Sequence, residues 1–270
     1  MMINEALKQR KEKSIKTEGK MKKIILRIKS ANFFNRGIVK KIKDKIYFKY
    51  INPKEEGRTD KYRLEIFNKL SEIFEETDWM LFCGGFLRFY RDKTMEGQDI
   101  DIGVKAEDIE RVLPKFIEKN FLIKQVFYNN QNELTEYKLL YNNVEIDVFK
   151  IYFNNEEGYY HYFTLEDSRK KNVKLDRKIE GNKLIITGND YISWKRRLPE
   201  FKVKEYEYCG AKFKGPENAV ENIVALYGEG WTVYDPNYDP RVNPENNKPI
   251  PFNNAKSIVY TNAVTSIDNK

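Results

Sequence analysis

"LFCGGFLRFYRDKTMEGQDIDIGV", Leu81 to Val104, decides how this chain is read. Two adjacent glycines, Gly84 and Gly85, end an apolar run, and Asp99 and Asp101 then alternate with Ile100 and Ile102. Side chains at i and i+2 of a strand share a face. The isoleucines belong in a core, so the aspartates point the other way together, with Cβ atoms ~6–7 Å apart. Two ionised carboxylates that close repel each other, and one cation between them relieves the repulsion. The glycines stand where a strand hands over to a helix predicted from Phe86 to Lys93. Glycine lets backbone approach a ligand closely, and a helix N-terminus offers unpaired N–H groups to phosphate.

A second stretch repeats the acidic pattern. In "VEIDV" (144–148), Val144, Ile146 and Val148 form one face, and Glu145 and Asp147 form the other. If the two strands are neighbours, Asp147 completes a three-carboxylate cluster. Neither short run carries Lys or Arg on its acidic face, so the cluster is expected to need a bound metal. An alternating acidic strand alone is more often a solvated face, and a lone Gly-Gly is usually a turn. Together they supply phosphate cradle, helix and metal-binding strand, the parts of a phosphoryl-transfer site. Arg91 is a candidate phosphate clamp, with Lys93 behind it.

Composition narrows the chemistry. There are two cysteines, Cys83 and Cys209, and one histidine, His161. These make neither a disulfide framework nor a zinc site. His161, in "GYYHYF", reads as a packed or exposed strand residue rather than a base. A metal must therefore be held mostly by oxygens, which points to Mg²⁺ or Mn²⁺. The net charge of +8 is uneven: residues 1–60 hold 18 Lys and Arg against 7 Asp and Glu. The remaining residues are near neutral, so nucleic acid is not an expected partner. The basic excess lies in an arm where Phe34, Ile38, Ile42 and Ile46 recur every four residues, an amphipathic pattern suited to an anionic membrane surface or to packing on its own domain. No run reaches the ~20 apolar residues of a membrane span. The expected location is cytoplasmic, peripheral at the inner membrane face if the arm binds there.

The period of the apolar residues predicts a helix in "KYRLEIFNKLSEIFEET", a strand at "WMLFC", a strand at "DIDIGV" and a helix in "AEDIERVLPKFIEKN" that Pro114 kinks or breaks. Strands flank Asn142-Asn143 as a hairpin, "KLIIT" is another strand, "YEYCGAKFKG" is a hairpin, and "PENAVENIVALYG" is a helix stopped by Gly228. The segment after Trp231, rich in Pro and Asn, reads as extended loop. The fold class so predicted is α+β (mixed α/β), with a mixed β-sheet flanked by helices and a basic N-terminal helical arm. The boundaries are an arm and linker over 1–60, a catalytic domain over 61–235 and a tail over 236–270.

Cys83-Gly84-Gly85 followed by Asp99-Ile100-Asp101-Ile102 resembles the signature of the polymerase-β-like nucleotidyltransferase superfamily, with Asp147 matching its third acid. More narrowly, "CGGFLRFYRDK", "QDIDIGV", "EIDVFKIYF" and "FKGPENAVENIVALYGEGW" resemble the LicD/fukutin family in order and spacing, over about Trp79 to Trp231. The resemblance implies a nucleotidyltransferase-fold core and Mg²⁺-dependent transfer of phosphocholine, ribitol phosphate or glycerol phosphate from a CDP-activated alcohol donor to a hydroxyl of a glycan or lipid-linked glycan. It implies that Asp99, Asp101 and Asp147 hold the metal and that Gly84 and Gly85 bring backbone N–H groups to phosphate. Phe86 and Phe89 stand where that family has smaller residues, so a reshaped donor pocket is expected. Two other readings stay open: transfer of a nucleotidyl group to a small molecule, and a degenerate transferase fold used as a binding module.

Overall fold

The computed structural model describes residues 60–264, apart from 96–98, 143, 155–156, 166–174, 201, 236 and 240–246. The amphipathic arm expected over residues 1–59 lies outside the described residues.

The chain begins with α1 (Asp60–Ile73), whose Ile66, Phe67, Leu70 and Ile73 recur at helical spacing and are all buried. Strand β1 (Trp79–Leu81) leads into α2 (Cys83–Asp92), then β2 (Asp99–Lys105) and α3 (Ile109–Glu118). Pro114 lies inside α3 without ending it. Three strands follow: β3 (Leu122–Tyr128), β4 (Leu134–Tyr141) and β5 (Val144–Asn154). After them come β6 (Glu157–Leu165), β7 (Asp176–Glu180), β8 (Lys183–Thr187) and β9 (Tyr191–Leu198). The hairpin β10 (Val203–Tyr208) and β11 (Ala211–Pro216) precedes α4 (Ala219–Tyr227), a 3₁₀ turn (Glu229–Thr232), β12 (Ile250–Phe252) and β13 (Lys256–Val264).

Eleven strands form one sheet in the order β12-β9-β6-β5-β4-β3-β13-β8-β7, with β2 attached to β5 and β1 to β2. Strand β5 is the branch point. One edge pairs antiparallel with β4. The other pairs parallel with β2 and then, from Tyr152, antiparallel with β6. The β2–β5 pair is the parallel one among the described pairings; the rest are antiparallel.

This corrects the predicted class. A mixed sheet flanked by helices does not fit the described residues, which form one large, mostly antiparallel sheet of eleven strands, the separate two-stranded β10–β11 hairpin and four α-helices. The excess of strand comes from segments without a clean period of two. Strand β6, "EGYYHYFTL", carries aromatics on both faces, and β9, "YISWKRRL", carries charge where alternation would place apolar residues. The stretch read as extended loop runs into β12, and beyond it β13 lies between β3 and β8 inside the sheet. Ser257 of β13 and Ala255, just before the strand, are wholly buried.

The main core lies on the face of β2 and β5 that carries Ile100, Ile102, Ile146 and Val148, all fully buried. Against it pack α1 and α3, through residues such as Phe67, Val112 and Phe116. The β10–β11 hairpin joins this core, with Phe213 stacked on Phe67 at 5.4 Å between ring centroids. The opposite face of the same two strands carries the acidic side chains and, further along β5, Phe149 and Ile151, which pack with Phe82 and Tyr160 in a second apolar cluster.

Candidate active site

Strand register brings the three predicted aspartates together. In the β2–β5 ladder Asp101 pairs with Asp147 and Asp99 with Glu145. One carboxylate oxygen from each of Asp99, Asp101 and Asp147 lies within 4.8 Å of the other two. Two buried groups hold β2 in place. Arg63, on α1, donates from Nη1 to the Asp99 carbonyl at 3.1 Å. The N–H of Phe82 donates to the Asp101 carbonyl at 2.9 Å, which ties the start of α2 to the acidic strand.

The electrostatics are those of a site short of positive charge. Burial, then the charges of Asp99 and Asp147, push the Asp101 carboxyl well above the usual carboxylate range. Burial also raises Asp147, to about 6, although Lys138 opposes it. Glu136, two residues before Lys138 on β4 and on the same face, is buried and raised by that burial and by Asp147. The expectation of no internal cation needs correction. Lys138, on β4, donates to Asp147 Oδ2 at 3.0 Å and to Glu145 Oε2 at 3.3 Å. Lys124 is a further partner of Glu145. Both lysines come from strands outside the two acidic runs, which is why those runs did not show them.

A divalent cation fits this donor set. All three donors are carboxylate oxygens, the choice of hard cations such as Mg²⁺ or Mn²⁺. The Oδ1 atom of Asp147 is buried with no hydrogen-bond partner, an arrangement that costs free energy unless something positive meets it. Opposite oxygens in a Mg²⁺ shell stand ~4.2 Å apart. The observed 4.8 Å spread needs only a small inward turn of the side chains.

Asp101 lines a cleft of about 1020 Å³. Gly84, Arg88 and Arg91 from α2 share that lining, as do Tyr160, Tyr227 and Trp231. Helix α2 starts at Cys83, so both glycines lie in its first turn rather than ahead of it. The left-handed residue there is Cys83 (φ 46°), not a glycine. Space alone does not force a glycine at either position. A Cβ on Gly84 would stand 3.2 Å from Arg88 Nη1, and one on Gly85 would stand 3.4 Å from Leu81 Cδ1. Gly84 faces the cleft; Gly85 is buried.

The two predicted cations on α2 are placed differently. Arg91 lines the cleft but is held by Asp92, at 2.8 Å from both Nε and Nη2, and by the Trp231 carbonyl at 3.1 Å. Lys93 closes α2 in the left-handed conformation, and its Nζ donates to the Tyr90 carbonyl at 2.9 Å. Arg88 was missed. Its Nε is buried with no hydrogen-bond partner, and its charge reaches Asp101. Its position four residues after Gly84 was the available signal, since i and i+4 share a helix face. Phe86 and Phe89 do not reach the cleft. They pack on the β10–β11 hairpin, where Phe89 meets Phe213 edge-on at 4.8 Å and Phe86 meets Tyr206 at 5.5 Å.

His161 sits apart from the aspartates on β6, buried, with Nδ1 2.7 Å from Ser193 Oγ. Burial and Lys195 lower its pKa to about 4, so it is neutral at physiological pH. No helix among the described residues is long and apolar enough to cross a membrane.

No protein-family model matches the chain, LicD/fukutin included, and no curated protein matches it. Among solved structures the chain is similar to the lincomycin-bound crystal structure of the lincosamide antibiotic adenylyltransferase LnuA. The identity is 15%, the match covers 67% of this chain and 92% of that one, and the TM-score is 0.36.

Proposed function

We propose that the protein is a divalent-metal-dependent transferase that moves a nucleotidyl group from a nucleoside triphosphate to a hydroxyl of a small acceptor. The observation that carries this reading is the convergence of Asp99, Asp101 and Asp147 beside the first turn of α2, with Asp101 in the wall of a cleft large enough for donor and acceptor together. A divalent ion at the three aspartates supplies charge to the phosphoryl oxygens. The chain's own residues do the positioning. The N–H groups of the first turn of α2, with Gly84 leaving them uncovered, face the phosphates. Arg88 offers an unengaged guanidinium edge to the same oxygens. The hydroxyl oxygen bonds to the α-phosphorus as its proton passes to a carboxylate of the aspartate cluster, the bond from that phosphorus to the bridging oxygen breaks, and pyrophosphate leaves. The aromatic wall of Tyr160, Tyr227 and Trp231 excludes water from one side of the cleft.

Transfer of a phospho-alcohol from a CDP donor, which the LicD/fukutin resemblance implies, uses the same aspartates and differs in the group that leaves. The two are separated by their products, since nucleotidyl transfer releases pyrophosphate and phospho-alcohol transfer releases CMP. The test is a thermal-shift screen of the full chain with Mg²⁺ plus nucleoside triphosphates or CDP-alcohols, followed by product analysis. A ligand bound by the native state alone raises the melting temperature. The expected result is stabilisation by a triphosphate only when Mg²⁺ is present. Stabilisation by CDP-alcohols alone, with CMP as product, overturns this reading in favour of the other.

A further inference from the structure

Asp147 divides its two oxygens between two different partners. Oδ2 accepts from Lys138 Nζ at 3.0 Å, whereas Oδ1 is buried with no hydrogen-bond partner, in a residue that lies in the aspartate cluster. The position of Lys138 is set by the backbone. It stands directly across the β4–β5 ladder from Asp147, and its side chain is 18% exposed. Its ammonium also reaches Glu145, so it bridges two acids on the side of Asp147 away from Asp99 and Asp101. Centres that work with two metal ions place them ~3.5–4 Å apart, with a shared carboxylate between them. Here the far side of the shared carboxylate already holds a compact positive charge with three donors.

We propose that Lys138 is a resident second cation. One divalent ion binds at Asp99, Asp101 and Asp147 Oδ1, and Lys138 provides at Oδ2 the charge that a second ion provides elsewhere. This rests on reading the three aspartates as the metal site. Lys138 is a positioning residue in this scheme, because it acts on Asp147 and not on substrate.

The test counts ions. The full chain is titrated with Mn²⁺, free Mn²⁺ is followed by electron paramagnetic resonance, and ions still bound by Asp101→Asn are subtracted as background. The expected count is one for the wild type and two for Lys138→Ala, which opens room beside Oδ2. Lys138→Arg keeps the charge and is expected to restore a count of one, with affinity within about tenfold of wild type, the usual reach of an outer-shell change. Two ions beside an intact Lys138 overturn the proposal but leave the metal site standing. So does a Lys138→Ala protein that is folded and binds one ion with wild-type affinity. No specific ion in the wild type overturns both the proposal and the reading on which it rests. If Lys138→Ala does not fold, the wild-type count alone decides between one ion and two.

Discussion

Asp101 is costly to the empty protein, and under the function proposed above it is a ligand of the bound metal. Its carboxyl is half-buried at the cleft wall, and desolvation there together with two like charges disfavours the ionised form. Asp101→Asn removes that charge with little change of shape. The expected outcome is a metal-free protein that is more stable by about 1 kcal/mol, a shift of about 3 °C for a domain of this size. The Mg²⁺-dependent thermal shift is expected to disappear in the same variant. Calorimetry with and without Mg²⁺ reads both; a less stable metal-free variant would show that Asp101 is held by contacts rather than strained by charge. Arg88 and Arg91 separate in the same way. Arg88→Ala is expected to weaken binding of a Mg²⁺-triphosphate by about tenfold to a hundredfold, the range for a hydrogen bond to a charged group. Arg91→Ala is expected to weaken it less, because Asp92 and the Trp231 carbonyl already occupy that guanidinium. Equal losses in titration calorimetry would show that the engaged arginine turns toward the donor.

His161 makes a prediction about pH. Its folded pKa is depressed to about 4, below the unfolded value near 6.5. Such a group contributes stability above about pH 6.5, and the contribution is lost as pH falls toward 4 and the unfolded chain takes up the proton first. The full effect is on the order of 3 kcal/mol. Comparing urea unfolding of wild type and His161→Gln from pH 7.5 to pH 4 isolates it from the acidic cluster, whose raised carboxyls act in the opposite direction. The stability difference between the two proteins is expected to narrow as pH falls, and a constant difference would remove the buried-histidine account.

At the scale of elements, the hairpins and helices were readable where apolar residues keep one period. Strand β2 shows why: Ile100 and Ile102 are wholly buried, and their alternation with Asp99 and Asp101 left one choice of face. The neighbourhood of a strand is a different matter. Lys138 was legible only by counting back from the turn at Asn142, since Tyr141 pairs with Val144 and the register then sets Lys138 opposite Asp147. Within α2 the helical pattern located the element, but which arginine is free depended on Asp92 and on a carbonyl 140 positions away in sequence. The aromatic residues of α2 posed the opposite problem, because a phenylalanine beside a phosphate cradle says nothing about its direction. They point into the hairpin, and Gly215 of β11 marks how closely. A Cβ there would lie 2.6 Å from Phe86 Cε2 and 2.9 Å from the Tyr206 ring. Gly215→Ala is therefore expected to cost about 1–3 kcal/mol by overpacking. Gly230→Ala, where nothing lies within 4 Å, serves as the control. Thermal unfolding that shifts equally for both would show that the hairpin yields.

At the scale of the molecule, the sheet was the least legible part. Its eleven strands are ordered by pairings between distant segments, and β13 joins β3 and β8 although its sequence follows a stretch of Pro and Asn. No local period carries that information, because burial of Ser257 and Ala255 depends on neighbours more than fifty residues away. The same property governs how the protein comes together in time. The hairpins β3–β4, β4–β5 and β10–β11 join strands that are adjacent in the chain, whereas Asp101 meets Asp147 only after α3, β3 and β4 have been gathered between them. Loop closure slows contacts of long separation, and parallel pairing is slow for that reason. The aspartates also repel until a cation arrives, so their approach lacks the attraction that hurries other contacts. Refolding from urea is expected to recover strand signal by circular dichroism before it recovers Mn²⁺ binding. The chemistry of this protein is then acquired last, and a newly made chain passes through an interval in which it is largely folded and inert.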